Sequence, residues 1–123
     1  MWTPITLLEL YDQIQKTETD LNGEVWNFWQ LIKIEPTKWE EPTFGKEGNG
    51  FWVVAICGQK VIWYNDIEDG FNISDYSTFG QIEGYYCNQD ELNCSVIRLF
   101  DLIKFGTYWL NLLCLQKRRT YRT

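Results

Sequence analysis

The sequence predicts an α+β domain, with a mostly antiparallel sheet of about five strands, an N-terminal helix and one or two C-terminal helices. Apolar residues recur at helical spacing near both ends, while the middle of the chain holds short apolar or alternating segments separated by turn residues. The order helix, strands, helix is typical of the α+β class. A chain of 123 residues is expected to form one domain, residues 1–123, that buries about two-thirds of its unfolded surface.

The first predicted helix lies close to the N-terminus. Two competing signals mark its start, a Thr3-Pro4 cap and a capping box formed by Thr6 and Glu9. The helix is expected to end before Asn22-Gly23. From Glu24 to Ile34 the apolar period changes to two, which predicts a strand.

Proline and glycine residues between Glu35 and Gly50 predict a loop. Phe51–Cys57 is almost entirely apolar, as expected of a central strand covered on both faces. Gly58-Gln59 then fits a two-residue hairpin turn, and Lys60–Asn65 is the predicted returning strand. Two more short strands are predicted, at Phe71–Ile73 and Phe79–Cys87.

A second helix is predicted after Asn88, which serves as its expected cap. Asp90 and Glu91 fall in the first turn, where acidic side chains complement the helix dipole, and Gly106 closes the helix. Residues 107–123 fit either a helix or a final strand, and their apolar spacing suits a helix slightly better.

Charge is distributed unevenly along the chain. Between Lys60 and Arg98 there is no lysine or arginine, yet seven acidic residues lie there: Asp66, Glu68, Asp69, Asp75, Glu83, Asp90 and Glu91. The last seven residues carry four basic side chains and no acid, so subtracting four positive charges from the net −6 leaves −10 on residues 1–116. Such a surface repels nucleic acid and attracts basic proteins. The alternative is that these acids only solvate turns.

Aromatic residues make up 17% of the chain, and tyrosine or tryptophan beside carboxylates makes an effective binding rim. The predicted partner-binding residues are therefore the seven acids together with Tyr64, Tyr76 and Tyr85. Asp66, Glu68 and Asp69 are expected to project together from one turn at the end of the sheet. Other rings are assigned by their position to the core (Trp26, Phe28, Trp52, Trp63 and Phe100) or to the surface (Trp29, Trp39 and Tyr86).

Several chemistries are excluded by missing residues. The chain has no histidine, which removes histidine-based nucleophile pairs, and no cysteine pair has zinc-finger spacing. Asn65–Gly70 resembles a calcium loop, but Ile67 and Tyr76 stand where oxygen ligands are required. We therefore predict no catalytic residue, metal ion or cofactor. The enzymatic alternative is a carboxylate pair beside a sugar platform, drawn from Glu40, Glu41, Asp66 and Glu68 with Trp39 or Trp63.

The sequence predicts a cytoplasmic protein without a membrane segment. No signal peptide is visible, and the apolar stretch 105–115 is shorter than the roughly 20 residues that a spanning helix needs. The four cysteines, Cys57, Cys87, Cys94 and Cys114, are then expected to be reduced. A Cys87–Cys94 bridge is the alternative.

The segments Gly50–Ile56 and Trp63–Ser74 resemble stretches of bacterial proteins with no assigned activity. In size, acidity, aromatic content and lack of catalytic motifs, the whole chain resembles the immunity proteins of bacterial contact-dependent and other polymorphic toxins. The resemblance implies a non-enzymatic inhibitor that binds a toxin domain, often a basic nuclease whose active site is plugged by acidic groups. Immunity proteins share no single fold, so the resemblance assigns no residue roles. Two alternatives stay open, a carbohydrate- or ligand-binding module and a structural oligomer.

Overall fold

The computed structural model describes residues 3–46 and 48–106. Within these residues, three helices lie against one face of a four-stranded antiparallel sheet, so the α+β class is confirmed, with four strands rather than about five. The strands pair in chain order, β1-β2-β3-β4. The elements are α1 (Leu7–Asp20), α2 (Gly23–Ile32), β1 (Lys33–Trp39), β2 (Phe51–Cys57), β3 (Lys60–Asn65), β4 (Gly70–Asp75) and α3 (Leu92–Phe105).

Helix α1 begins at the predicted capping box. The Thr6 hydroxyl accepts a hydrogen bond from the Glu9 backbone N–H, and the Glu9 carboxylate accepts one from the Thr6 backbone N–H. Two backbone donors at the helix start are thereby satisfied, which selects this start over the Thr3-Pro4 cap.

The strand predicted over Glu24–Ile34 is wrong, because most of this segment forms helix α2. Over ten residues, an aromatic-rich sequence satisfies a period of two and a helical period equally well. In the helix, Trp29 and Ile32 share the buried face, and Trp29 is only 1% exposed although its position in a strand had placed it on the surface. Its indole N–H donates to Glu18 Oε2 at 2.7 Å. Packing against the core decides the conformation here, not local propensity.

Strand β1 occupies the first part of the predicted loop. Pro36 lies within it, which is tolerated because β1 is an edge strand among the described residues, and one of its sides makes no ladder hydrogen bonds with them. The register with β2 shifts between Lys33 and Thr37, next to the proline. The loop between β1 and β2 therefore begins at Glu40.

The sheet separates two apolar cores. On one face, Val54, Ile62 and Phe71 pack with the helices, while Val53, Val61 and Trp63 on the other face pack with Trp39 and Ile82. Strand β2 contributes to both cores, as its apolar composition predicted. The predicted hairpin turn is also confirmed, with Gly58 at φ +61°.

The second core is covered by residues 76–91, here called the crossing segment. A strand was predicted for Phe79–Cys87, but the segment forms only isolated bridges, because Gly80 and Gly84 adopt positive φ angles that interrupt an extended strand. Buried polar side chains of the sheet hold it instead. Ser74 Oγ donates to the Gly84 carbonyl at 2.8 Å, and Asn65 Nδ2 donates to the Tyr86 carbonyl at 3.0 Å.

Asn72 makes two such attachments to one residue of the crossing segment. Its side chain accepts from the Asn88 N–H at 2.9 Å and donates to the Asn88 carbonyl at 3.2 Å. Asn88 is consequently not the cap of α3, which begins at Leu92 with Glu91 as N-cap residue. The C-terminal prediction is confirmed, since Gly106 is left-handed and donates to the Leu102 carbonyl. The helix-or-strand alternative for residues 107–123 lies outside the described residues.

The cysteines differ from the expectation of four free thiols. Cys94 is disulfide-bonded, while Cys57 and Cys87 are free, so the Cys87–Cys94 alternative is also wrong. Cys114 lies outside the described residues.

In the described part of the chain, no helix combines the length and apolarity needed to cross a bilayer.

We predict that Asn72→Ala lowers the free energy of unfolding by about 2 kcal/mol, because both backbone groups of Asn88 lose their buried partner. Urea unfolding followed by tryptophan fluorescence measures the change. Asn27→Ala, the same substitution at an exposed site on α2, is the control and should stay within about 0.5 kcal/mol of wild type. Equal stability of the two variants would show that the crossing segment is held by its apolar contacts alone.

Candidate functional site

A cleft of about 900 Å³ opens at the end of the sheet where β1 finishes and β2 begins. One wall is the loop 40–50, and the other is formed by residues 81–85 of the crossing segment. Its chemically distinctive lining residues are Glu40, Glu41, Lys46, Glu83 and Tyr85. We call this the acidic cleft.

The first wall is organised by Glu41, which is only 3% exposed. Its Oε1 accepts hydrogen bonds from the Phe44 N–H at 2.6 Å and the Gly45 N–H at 3.1 Å, so this carboxylate shapes the loop. Gly50 returns the chain to β2 at φ +95°, where a Cβ atom would overlap the Trp39 carbonyl. Lys38 adds a further tie by donating to the Gly48 carbonyl. The loop is thus fixed by the residues around it.

The two walls are joined by backbone hydrogen bonds. Glu40 N–H donates to the Gly80 carbonyl, and Ile82 N–H donates to the Glu40 carbonyl, both at 2.9 Å. Ile82 is 2% exposed and anchors the second wall in the core beneath. Glu83 N–H in turn donates to the Asp75 carbonyl. These bonds place the two acid-bearing segments side by side.

The cleft carries an excess of negative charge. Glu40 and Glu83 are exposed, and neither forms a salt bridge with any described residue. Among the lining residues that the structure describes, Lys46 is the one basic side chain, against three carboxylates. Glu41 is engaged by the loop backbone, so Glu40 and Glu83 are the acids available to a ligand.

Tyr85 is the aromatic residue in the lining of the cleft. The Tyr85 ring lies 4.6 Å from that of Phe44 and 5.9 Å from that of Trp63, measured between centroids. Burial is the main cause that raises the pKa of Tyr85, so its hydroxyl is neutral at physiological pH. Phe44 is 52% exposed, and Phe79, next to Gly80, is 72% exposed, with its ring centroid 4.9 Å from that of Trp39 and the two rings tilted by 57°. The segments that form the cleft therefore expose both apolar area, from Phe44 and Phe79, and negative charge.

The three carboxylates of the acidic turn 66–69 were expected to project together from the end of the sheet. In the structure they do not. Asp66 is 5% exposed, and its Oδ2 accepts from the Ile5 N–H at 2.9 Å, which fastens the N-terminal segment. Glu68 is half-buried and Asp69 is exposed. Only part of this turn is accessible to a partner.

Three of the other predicted acids have counterions. Asp75 pairs with Lys60 at 2.5 Å, the 2%-exposed Asp90 pairs with Arg98 at 2.9 Å, and Glu91 lies 3.9 Å from Lys16. Lys60 and Arg98 are the residues that border the acid-only segment of the sequence. The lack of basic residues within the segment therefore does not leave these three acids unpaired, because the fold brings cations from outside the segment.

The three predicted tyrosines also differ in burial and in position. Tyr64 is buried against Phe71, and Tyr76 is half-buried with its hydroxyl donating to the Gly58 carbonyl. Of the ten predicted partner-binding residues, Glu83 and Tyr85 line the acidic cleft.

Sequence reasoning named Glu40 and Glu41 only as part of an enzymatic alternative and did not identify Lys46 or Phe44. The proline- and glycine-rich loop directly after two adjacent acids was the available signal. The sugar platform proposed with that alternative is not accessible, because Trp39 is 2% and Trp63 is 0% exposed. Within residues 3–46 and 48–106, no group of three or more cysteine or carboxylate residues is placed to hold a metal ion.

No family model matches the sequence, and the comparisons with curated proteins and with solved structures also find no match.

We predict that wild-type protein gains stability relative to Asp66→Asn as the pH falls from 7 toward about 4. Burial raises the pKa of Asp66 above its ordinary 3.8, an effect larger than the opposing hydrogen bond from Ile5. The folded state therefore binds this proton more tightly than the unfolded state, and the stability of wild type declines as the pH rises through that window.

Urea unfolding of both proteins at several pH values measures this difference. Asp12→Asn, at an exposed position on α1, controls for the loss of one negative charge. A wild-type advantage that instead grows with rising pH would show that charge on Asp66 stabilises the fold.

Proposed function

We propose that this protein is a non-enzymatic inhibitor of the immunity-protein kind, which binds a basic partner, a nuclease-type toxin domain, through the acidic cleft. One observation carries the proposal. Two exposed carboxylates without a counterion among the described residues, Glu40 and Glu83, line a cleft of about 900 Å³ together with the half-buried ring of Tyr85. A concave surface of this composition suits a basic protein segment.

The acidic surface extends beyond the cleft. Pairing of Trp39 with Phe51 and of Asn65 with Gly70 places the ends of β1 and β3 at the same end of the sheet. The exposed Asp69 therefore lies at the same end as Glu40. With a net charge of −6, this distribution favours steering of a cationic partner and disfavours nucleic acid.

Two other functions are tested by the same experiments. A carbohydrate-binding module would use Tyr85 as a stacking surface with Glu40 and Glu83 as hydrogen-bond acceptors. A structural oligomer would bury exposed apolar residues such as Phe79, 72% exposed, and Leu31, 84% exposed. The cleft favours the inhibitor because charge is its dominant feature.

We propose the bacterial cytoplasm as the location of this activity. The disulfide at Cys94 is a feature more common in oxidising compartments.

We predict that a neighbouring gene encodes a toxin domain and that this protein inhibits that domain at a one-to-one molar ratio. A nuclease assay with increasing amounts of the protein measures the ratio. The association rate should fall at least about tenfold between low and high salt, because steering is screened. A partner that is neither bound nor inhibited would overturn the proposal, as would a homo-oligomer that leaves the cleft buried.

We further predict that Glu40→Gln/Glu83→Gln weakens binding of this toxin domain by about 2 kcal/mol or more. Biolayer interferometry measures the affinity, and thermal melting verifies the fold. Asp12→Asn/Asp20→Asn removes the same charge from exposed positions on α1 and is the matched control. Equal losses in the two double variants would mean that net charge, not the cleft, determines binding.

A further inference from the structure

We infer that the group entering the acidic cleft is an arginine side chain of the partner, an inference that rests on the proposed function. The cleft combines hydrogen-bond acceptors from two chain segments with the ring of Tyr85. Each of these features matches one property of a guanidinium group.

The acceptors come from neighbouring segments. Glu40 follows β1, and its backbone is bridged to Gln81, two residues before Glu83. A guanidinium group presents five N–H donors in one plane and can be shared between two carboxylates. An ammonium group is a compact point charge that is more strongly hydrated than a guanidinium group. It therefore loses more hydration free energy on entering a cleft.

The backbone of the cleft offers few donors to compete with those of the ligand. The Gly45 and Gly50 N–H groups are used within the loop, and the Ile82 N–H is bound to Glu40. Carboxylates outnumber the single lysine of the lining by three to one, which disfavours an anionic occupant. The lining therefore favours a ligand that is a hydrogen-bond donor and a cation.

Tyr85 supplies a surface on which a planar cation can stack. Its ring is held by Phe44, Phe51 and Trp63, with centroid distances of 4.6, 6.1 and 5.9 Å. Because these contacts restrain the ring before any ligand arrives, little side-chain entropy is lost on binding. Arginine stacks on aromatic rings more readily than lysine does.

Titrations observed by NMR test this inference with four small probes. Three are amino-acid derivatives, N-acetyl-arginine amide, N-acetyl-lysine amide and the uncharged isostere N-acetyl-citrulline amide, and the fourth is methyl glucoside. The arginine probe should shift the amide signals of Gly45, Gln81 and Gly84 and should bind at least about threefold more tightly than the lysine probe. Citrulline should produce no saturable shift.

Variants locate the binding. Glu40→Gln and Glu83→Gln should each weaken the arginine probe at least about fivefold, whereas Asp12→Asn should leave its affinity unchanged. Tyr85→Phe retains the ring and should retain binding. Tyr85→Leu should weaken it, with thermal melting verifying that this variant is folded.

Three results would overturn the inference: equal affinity for the arginine and lysine probes, shifts confined to residues outside the cleft, or saturable binding of methyl glucoside at the same amides with no response to arginine. Its failure is distinguishable from that of the proposed function. A toxin domain that is inhibited through Glu40 and Glu83, while the arginine probe does not bind, contradicts the arginine inference alone. Arginine binding without an inhibited basic partner contradicts the proposed function.

Discussion

The attachment of the crossing segment to the sheet is the interaction on which the rest of this structure depends. Residues 76–91 contain no helix or strand of their own, yet they cover one apolar face of the sheet and form one wall of the cleft. Buried side chains of β3 and β4 replace the missing strand ladder by bonding directly to the backbone of the segment. Such polar groups must be paired when they are buried, so each of these bonds also specifies the position of the segment.

Burial assigns different roles to carboxylates that look alike in the sequence. Glu41 and Asp66 bond to backbone N–H groups and hold the loop 40–50 and the N-terminal segment, respectively. Asp90 forms a buried ion pair with Arg98. Glu40 and Glu83 are exposed and make no salt bridge in the described part of the chain. A partner can therefore meet charges that the fold itself does not require, which is the physical basis for proposing a binding function.

The rigidity of the cleft bears on how such a partner would be recognised. Both walls are tied to each other and to the core before any ligand arrives, through Glu40 and Ile82. A preorganised surface loses little conformational entropy on binding, so a modest number of charged and aromatic contacts suffices for tight association.

Signals that act over a few residues determined much of the structure by themselves. The Thr6–Glu9 capping box, the turn at Gly58 and the helix end at Gly106 were all predictable, because each depends on backbone conformation and hydrogen bonds to near neighbours. The apolar composition of β2 likewise predicted a strand covered on both faces. Tertiary structure alone decided that Gly23–Ile32 is a helix, that the crossing segment is not a strand, and that Asp75 and Asp90 have counterions. Those outcomes depend on packing and on charges that the fold brings close together. The order of residues in the chain does not reveal which groups will be close in space.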